Sequence, residues 1–462
     1  MWDLKQFGNR TAIIDDKGNI ITYNELDCIQ HQLAGNINKA DNNRIIIFII
    51  CSNTLEAVAA YVSCINNHIV PLMLSSEIKD TALEKLYDTY LPEYIWMPSD
   101  RISSGKKVYE YMTYKLVKMY DNHTPINDEL ALLLSTSGTT GSRKSVRISY
   151  ENIKINTMQI VKALSINEND RAVTMLPMHY TYGLSVINTH LYAGGSLLLT
   201  DKKVFSKSFW DFFNENKGTS ISGVAYTYKM LRKLGFEKWE IPYLKKITQA
   251  GEKLPLNLYK YLTQIADTRK INFYPMYGQT EATARITIMP EGMAKYKSGS
   301  VGLPLDGGII DIVTENGQRI YEYNKTGKII YKGLNVAMGY SYTRNELAEG
   351  NSLNGVLDTG DYGYIDNEGY LFVEGRKDEY VKVAGNRISL QELEAILEEN
   401  FKSSEFCVKY ENGKLKIAST FKNSKKVLDY INEITDLNPK MADVKYYESI
   451  PILDNGKVNI KF

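Results

Sequence analysis

One segment of the chain combines small hydroxyl residues, glycines and a basic pair in an order that suits a phosphate group. Residues 134–149 read LSTSGTTGSRKSVRIS and continue the apolar run at 131–134. Glycine lets a backbone turn back and present its N–H groups at close range, the hydroxyls add donors, and Lys144 adds a positive charge. We therefore expect a buried strand that ends in a loop able to bind a polyphosphate.

The spacing of this loop does not match the Walker pattern, in which a glycine directly precedes the lysine. Counted from Gly138, that glycine position is occupied by Arg143, although Lys144 and Ser145 fit the pattern. A solvent-exposed Ser/Thr/Gly loop is the alternative interpretation. The rest of the chain has to decide between the two.

Four further segments whose residues could bind a ligand or take part in catalysis follow the loop in order. They are ITQAGEKLP at 247–255, YGQTE at 277–281, LDTGD at 357–361 with GRKD at 375–378, and NGK at 455–457. Each alone is also compatible with a simpler role as a capped helix start, a plain turn or a two-residue hairpin. Five such segments in one chain make a coincidence improbable.

With these motifs the chain resembles the adenylate-forming superfamily, which contains acyl-CoA synthetases, aryl- and amino-acid adenylation domains and beetle luciferases. STSGTTGSRKSV resembles the signature loop of that family. YGQTEAT, the stretch LDTGDYGYIDNEGYLFVEGRKDEYVKVAGNRISLQELE and PILDNGKV are similar to its later motifs. The resemblance extends through nearly the whole chain.

The resemblance implies a nucleotide site. It assigns the β- and γ-phosphates of ATP to Thr136, Ser137, Gly138, Thr139, Thr140, Gly141 and Lys144. It places Gly251 and Glu252 at the edge of the adenine slot, Tyr277 on the base with Gly278 beside it, and Asp361 and Arg376 on the ribose hydroxyls. Thr280 is expected to approach the α-phosphate, and Glu281 to help hold Mg²⁺.

The resemblance also implies a reaction and a moving part. In adenylation the substrate carboxylate itself attacks the α-phosphorus, so catalysis depends on positioning and on stabilised charge. Lys457 is expected to bridge that carboxylate and the α-phosphate. After adenylation the C-terminal domain is expected to rotate about a hinge at Asp378, so that Lys457 leaves and the loop at Gly385 meets the incoming thiol.

The expected acid pocket consists of His179, Tyr180, Thr181, Tyr182 and Met276. Amino-acid-activating relatives carry an aspartate where this chain has Thr181, so an α-amino acid is disfavoured. Met276 stands where relatives with deep pockets have glycine, so a small or aromatic acid is favoured over a long chain. For Arg285 we expect a surface ion pair in preference to a contact with substrate.

Other functions stay open at this stage. Within the family they are a medium- or long-chain fatty acyl ligase, an amino-acid ligase, a luciferase-type oxygenase, or a member that binds nucleotide without catalysis. The thiol acceptor is expected in trans, as coenzyme A or a phosphopantetheinyl carrier protein, because the chain ends five residues after Lys457. ATP and Mg²⁺ are the expected cofactors.

Composition limits the classes of partner. The 462 residues include 55 basic and 54 acidic side chains, so the net charge of +1 gives no support for a nucleic-acid or anionic-membrane surface. The four cysteines form no C-x-x-C pair, and the N-terminus lacks the apolar core of a signal peptide. We therefore expect a cytoplasmic protein without membrane segments.

The elements that must position these residues follow an α/β pattern. Apolar runs alternate with helical segments at 44–72, 170–200 and 217–276, which predicts parallel sheets covered by helices. Short alternating strands from about residue 300 predict a small β-rich subdomain. We expect an N-terminal AMP-binding domain at 1–376 and a mobile α+β domain at 377–462, which is short for the family. Arg143 and Ser145, where the family has proline and glycine, have no explanation from sequence.

Overall fold

Alternating apolar segments fold into two large sheets, each with a parallel centre and antiparallel edges, in the computed structural model of the chain. The structure describes residues 2–37, 44–135, 144–376, 380–383, 386–411, 414–435, 441–453 and 458–460. The helices in these residues are α1 (Tyr23–Gly35), α2 (Leu55–Asn66), α3 (Asp80–Tyr90), α4 (Tyr150–Ala163), α5 (Thr181–Tyr192), α6 (Lys207–Glu215), α7 (Ala225–Lys233), α8 (Leu256–Arg269), α9 (Leu390–Asn400) and α10 (Ser424–Thr435).

The strands have the following bounds. They are β1 (Thr11–Asp15), β2 (Ile20–Thr22), β3 (Ile46–Cys51), β4 (Val70–Ser75), β5 (Tyr94–Pro98), β6 (Lys106–Tyr111), β7 (Tyr114–Lys118), β8 (Leu130–Ser135), β9 (Ser145–Ser149), β10 (Arg171–Val173), β11 (Ser196–Leu199), β12 (Ser220–Gly223), β13 (Lys246–Gln249), β14 (Asn272–Tyr277), β15 (Thr287–Ile288), β16 (Leu303–Pro304), β17 (Ile309–Val313), β18 (Gly327–Lys332), β19 (Gly339–Ser341), β20 (Val356–Ile365), β21 (Leu371–Arg376), β22 (Tyr380–Val383), β23 (Asn386–Ser389), β24 (Phe406–Glu411), β25 (Lys414–Ser419) and β26 (Ala442–Tyr446).

The first large sheet has the order β19-β9-β8-β4-β3-β5-β7-β6. Strand β3 pairs in parallel with β4 and β5, and all six of its residues are buried. A strand covered on both faces needs a continuous apolar run, which is why IIFIIC does not alternate with polar residues. Strand β8 also pairs with β4 and leads directly into the predicted phosphate loop.

Two neighbouring residues of types that cap helices precede α2. Thr54 is the N-cap, and its hydroxyl accepts from the Ala57 N–H at 3.4 Å. Asn53 instead donates to the Leu176 carbonyl at 3.1 Å and accepts from the Met178 N–H at 3.1 Å. Asparagine and threonine both cap helices well, so the long-range contacts of the Asn53 side chain determine which of the two residues is the cap.

The second large sheet has the order β16-β15-β14-β13-β12-β10-β11-β1-β2, with parallel pairing from β14 through to β1. One buried apolar cluster joins the two sheets and includes Val58 of α2, Leu134 of β8, Leu184 of α5 and Leu197 of β11. The carboxyl ends of the parallel strands β13 and β14 carry two of the predicted motifs, and ligands of open α/β sheets bind at that edge.

Two smaller units follow. Strands β17, β18, β20 and β21 form the expected antiparallel β-rich subdomain, and β24, β25 and β26 pack under α9 and α10 around Leu397 and Leu415. The predicted α/β class, with a large N-terminal part and a small α+β C-terminal part, is confirmed. The exact boundary stays a prediction, because residues 377–379 lie outside the described chain. In the described segments no helix is both long and apolar enough to cross a membrane.

Candidate active site

The YGQTE segment begins at the last residue of β14 and continues into a short 3-10 turn at Thr280–Ala282. Gly278 is required where the chain folds back, because a Cβ there would lie 2.0 Å from the Ala284 carbonyl oxygen. Thr280 and Glu281 are both half-buried and stand on the 3-10 turn. The motif is therefore a tight, backbone-packed corner at a strand end and does not begin an α-helix.

The nucleoside end of this corner joins residues distant in sequence. The Tyr277 hydroxyl donates to Asp361 Oδ2 at 2.5 Å, and Arg376 Nε lies 3.5 Å from Asp361 Oδ1. Asp361 of β20 and Arg376 of β21 are direct cross-strand partners. Burial raises the pKa of Asp361 above its ordinary value, although the hydrogen bond from Tyr277 and the charge of Arg376 act to lower it. The structure thus brings together the residues expected at the base and the ribose.

The predicted edge of the adenine slot lies on the neighbouring strand. Gly251 and Tyr277 each stand two residues beyond the parallel register pair Gln249–Pro275. Gly251 has φ +92°, and a Cβ at this position would lie 2.5 Å from the Tyr180 hydroxyl. The Gln249 side chain donates to the Glu252 carbonyl at 2.7 Å and fixes the turn. Glycine is therefore needed for both backbone conformation and close approach.

The other end of the corner carries opposite charges on either side of a tyrosine. Lys144 Nζ lies 3.3 Å from the centre of the Tyr340 ring, and the Tyr340 hydroxyl donates to Glu281 Oε1 at 2.9 Å. Lys144 directly precedes β9, whose Val146 pairs with Tyr340 of β19. The predicted phosphate-binding cation and the predicted Mg²⁺ carboxylate thus share one partner. Sequence analysis missed Tyr340, because no motif spacing pointed to it.

Ser145, unexplained from sequence, is a buried residue of β9. It is 2% exposed, pairs with Ser341 of β19, and lies beside Tyr90, whose hydroxyl donates to the Ser341 carbonyl at 2.9 Å. The Ser145 side chain also hydrogen-bonds with Tyr90. Glycine could not form this bond, so the serine has a structural role at this position.

Ten residues named in the sequence analysis lie outside the described residues, and their roles stay predictions. They are Thr136, Ser137, Gly138, Thr139, Thr140, Gly141, Arg143, Asp378, Gly385 and Lys457.

The carboxylate of Glu281 is of the kind that would hold a nucleotide-bound Mg²⁺. Within the described ranges, no group of three or more His, Cys, Asp or Glu residues could hold a metal ion. Mg²⁺ usually takes one or two protein carboxylates together with substrate phosphates. Glu281 would supply such a carboxylate. It accepts a hydrogen bond from Tyr340, whose ring lies against Lys144.

Four of the five residues predicted for the acid pocket lie at the start of α5 or directly before it. The rings of Tyr180 and Tyr182 meet edge to face, with centres 6.4 Å apart, and the Tyr182 hydroxyl hydrogen-bonds Thr248 Oγ1 at 2.7 Å. His179 is half-buried directly before them, and Met276 is 3% exposed. The two aromatic walls are therefore held in place before any ligand arrives.

A strained backbone links this pocket to the nucleotide corner. Thr283 has φ +63° and ψ −61°, which is rare for a β-branched residue and costs about 1–3 kcal/mol. Its hydroxyl donates to the Asn335 carbonyl at 2.7 Å, and its own carbonyl accepts from the Thr181 hydroxyl. Thr181 therefore uses its side chain to hold the strained turn.

The expectation for Arg285 is wrong. This residue is 3% exposed, and its guanidinium carbon lies 3.9 Å from the centre of the Tyr182 ring. Its Nε lies 3.4 Å from Met276 Sδ. Arg285 therefore lies buried beside two of the predicted pocket residues and not on the surface. Nothing in the local sequence signals this, because its burial results from tertiary packing.

Comparisons with known proteins show the family of the chain. The family model described as "AMP-binding enzyme" matches residues 2–341. A 2-succinylbenzoate–CoA ligase of Bacillus subtilis is 30% identical over 58% of this chain and 54% of its own length. An oxalate–CoA ligase of Arabidopsis thaliana is 30% identical over 58% of this chain and 52% of its own. The chain thus spans about half the length of the curated relatives it matches.

A solved structure shows the same fold. The o-succinylbenzoate CoA synthetase of Bacillus subtilis, in complex with its acyl-adenylate intermediate, superimposes with a TM-score of 0.79 at 23% identity and covers 98% of this chain and 95% of that one. The family model covers well over half of the chain. The chain belongs to the family of AMP-binding enzymes.

Proposed function

We propose that this protein activates a carboxylic acid with ATP to an acyl-AMP, releases pyrophosphate, and then transfers the acyl group to a thiol. The observation that carries the proposal is the double contact of residues 277–281. Tyr277 meets Asp361 at one end of this segment, and Glu281 meets Tyr340 and, through it, Lys144 at the other. Base, ribose and phosphates of one nucleotide need groups of these kinds in this order.

In the proposed first step an oxygen of the substrate carboxylate bonds to the α-phosphorus, and the bond from that phosphorus to pyrophosphate breaks. The protein contributes no nucleophile, and it accelerates the step by holding both reactants and stabilising charge. Lys144 would neutralise the departing pyrophosphate, and Thr280 would contact the α-phosphate. Glu281 would hold Mg²⁺, which supplies charge neutralisation when bound.

The roles of the signature-loop residues 136–141 and of Lys457 belong to the same proposal. Lys457 would contact both the reacting carboxylate and the α-phosphate, and the C-terminal unit carrying it would turn about Asp378 before the second step. In that step a thiol attacks the acyl carbonyl carbon and AMP leaves. Since Lys457 and the thiol need the same space, a moving domain is a physical requirement of the two-step reaction.

For the acceptor we propose coenzyme A. The curated relatives carry the names of CoA ligases acting on 2-succinylbenzoate and oxalate. One solved neighbour is in complex with ATP and magnesium ion. These names describe those proteins, and they favour coenzyme A over a carrier protein for this chain. A phosphopantetheinyl carrier protein is the alternative that a thioester assay distinguishes.

For the acid we propose a small or aromatic molecule. Tyr180 and Tyr182 offer two aromatic walls, and Met276 fills the position from which a long acyl chain would extend. The hydroxyl of Thr181, which donates to the Thr283 carbonyl, carries no negative charge and cannot replace a carboxylate as counter-ion for an α-ammonium group. An α-amino acid is therefore a poor fit.

The test is ATP–pyrophosphate exchange across a panel of small aliphatic and aromatic acids. We expect exchange that depends on one acid and falls by about 10²–10³ in the Lys144→Met variant, the scale for one aligned electrostatic group. The matched control is Lys325→Met, which changes a cation of an exposed ion pair with Glu322 in the β-rich subdomain. ATP binding without exchange for any acid would indicate a non-catalytic nucleotide binder and contradict the proposal.

A further inference from the structure

Arg285 places a permanent positive charge inside the proposed substrate pocket. Its guanidinium stacks on Tyr182, its Nε contacts Met276 Sδ, and its Nη1 donates to the Ala284 carbonyl at 3.2 Å. A guanidinium has five N–H donors and stays protonated in proteins. Within the described part of the chain no carboxylate forms an ion pair with Arg285.

A comparison with two other buried arginines of the same protein shows that a buried guanidinium without an anionic partner is unusual here. Arg344 and Arg147 are 4% and 1% exposed, close to the 3% of Arg285. Arg344 forms a buried ion pair with Glu93 at 2.6 Å. Arg147 donates to the backbone carbonyls of residues 340, 349 and 350, and its guanidinium lies 3.7 Å from the Glu349 carboxylate. Arg285 alone of these three has a charge with no anionic group beside it.

The position of Arg285 is fixed by two buried asparagines. Its N–H donates to Asn156 Oδ1 at 3.1 Å, and its carbonyl accepts from Asn156 Nδ2 at 3.0 Å and from Asn335 Nδ2 at 2.9 Å. Asn156 is 1% exposed and Asn335 is fully buried. These bonds fix the backbone from which the guanidinium extends. A positive charge buried at an energetic cost on a fixed backbone is typical of a site preorganised for an anion.

The surroundings define where that anion would lie. Tyr180, Tyr182 and Met276 are the predicted walls of the acid pocket, and Arg285 contacts the last two directly. Burial raises the pKa of Tyr180 to about 12, and the charge of Arg285 acts on it in the opposite direction. Arg285 is therefore within electrostatic reach of both aromatic walls.

We propose that Arg285 binds a second acidic group of the substrate, so that the acid activated by this protein is a dicarboxylic acid. One carboxylate would be adenylated, and the other would pair with the guanidinium. The proposal rests on the proposed function, which supplies the first carboxylate. A guanidinium pairs with a carboxylate by two parallel hydrogen bonds, which fixes orientation as well as affinity.

The first experiment uses the unmodified full-length chain. ATP–pyrophosphate exchange is measured with malonate, succinate, glutarate and phthalate, each against the monoamide in which the second carboxylate is replaced by a carboxamide of the same shape. We expect at least one diacid to exceed its monoamide in kcat/KM by about 30-fold or more, the scale for one partner of a buried charge pair. Because no variant is used, folding does not affect this result.

The second experiment uses Arg285→Gln and Arg285→Lys. We expect Arg285→Gln to lower kcat/KM for the diacid far more than for its monoamide, so that the preference for the diacid is lost, with Arg285→Lys in between. The control is Arg319→Gln, since Arg319 also stacks on a tyrosine, Tyr321, but is exposed in the β-rich subdomain. Thermal shift with the diacid alone checks binding apart from turnover; wild type should respond and Arg285→Gln should not.

Equal use of a diacid and its monoamide by the wild type would overturn the inference and leave the proposed function standing. An Arg285→Gln variant in which kcat/KM falls equally for the diacid and its monoamide would also overturn the inference, since Arg285 would then hold the reacting carboxylate. Exchange with no acid, despite ATP binding, would instead overturn the proposed function and this inference with it.

Discussion

At the scale of single residues, Tyr340 contacts both the predicted phosphate-binding cation and the predicted Mg²⁺ carboxylate. Its ring face carries Lys144 and its hydroxyl donates to Glu281. Burial and the Glu281 carboxylate together raise the pKa of Tyr340, so the phenol stays a hydrogen-bond donor at neutral pH. A single neutral side chain thus keeps a cation and a carboxylate at defined positions without allowing them to form a direct ion pair.

Removing only the hydroxyl of Tyr340 tests this role. Tyr340→Phe keeps the ring under Lys144 and deletes one hydrogen bond to a charged group, worth about 1.5–3 kcal/mol. We expect ATP–pyrophosphate exchange to fall by about 10–100-fold, since 1.4 kcal/mol is a factor of ten. The dependence on Mg²⁺ concentration should shift upward, because Glu281 is no longer held.

The control for this prediction is Tyr342→Phe, two residues further on, whose side chain is half exposed. It should leave exchange and the Mg²⁺ dependence unchanged. Wild-type behaviour of Tyr340→Phe in both measurements would show that Tyr340 only fills space between β19 and the corner at Thr280–Ala282.

The contacts among motif residues could be predicted from the sequence, but the burial of Arg285 could not. The motif residues Tyr277, Asp361 and Arg376 were predicted together, because the resemblance assigned them to one nucleotide, and they do meet. Arg285 was placed on the surface, because a charged residue is almost never fully buried without a partner. Its burial depends on Asn156 and Asn335, which are 129 and 50 residues away along the chain.

At the scale of elements, the apolar pattern predicted β3, α2 and β4 and the later α/β alternation correctly. A buried strand needs an uninterrupted apolar run, and that signal is local. The helix start was less predictable, because Asn53 and Thr54 are both good caps. The contacts of Asn53 with the backbone at Leu176 and Met178 decided the outcome, and these cannot be derived from local sequence.

The element α9 carries a carboxyl group that should make stability depend on pH. Removal from water raises the pKa of Glu394 to about 8, while the Val408 N–H, which donates to it at 2.5 Å, acts in the opposite direction. A carboxyl group whose pKa is higher in the folded protein than in the unfolded chain stabilises the fold at pH values below the unfolded pKa. This contribution is lost as the pH rises through the pKa of the folded protein. The stability of the C-terminal unit should therefore fall between about pH 4.5 and pH 8.

The variant Glu394→Gln keeps an oxygen for the Val408 N–H and cannot ionise. We expect it to flatten this part of the profile of unfolding free energy against pH and to be more stable than wild type above pH 8. Chemical denaturation of the full chain at a series of pH values measures both effects. The exposed Glu399 of the same helix, changed to Gln, is the control. Parallel profiles for wild type and Glu394→Gln would contradict the assignment.

At the scale of the whole molecule, two ion pairs join the C-terminal unit to α7. Lys229 pairs with Glu398 of α9, and Lys233 pairs with Glu405 at 2.8 Å. Such pairs contribute about 0.2–1 kcal/mol each when exposed. The proposed rotation of the C-terminal unit requires contacts of modest strength, because stronger ones would hold the unit in a single position.

Charge reversal at α7 should therefore change the balance of the two half-reactions. We expect Lys229→Glu to alter the ratio of the adenylation rate to the thioester-forming rate by about 3–10-fold, which corresponds to roughly 1 kcal/mol. The double variant Lys229→Glu with Glu398→Lys should restore the ratio. Equal loss of both half-reactions, or no restoration in the double variant, would show that the contact does not select a position of the domain.

The central claim is that a carboxylate oxygen attacks the α-phosphorus of ATP. The most direct measurement uses the acid identified by exchange, labelled with ¹⁸O in its reacting carboxylate, with ATP and the thiol acceptor, followed by mass spectrometry of the products. The account predicts one ¹⁸O in AMP for each thioester formed and none in pyrophosphate. Label in inorganic phosphate with formation of ADP, or AMP without label, would contradict it.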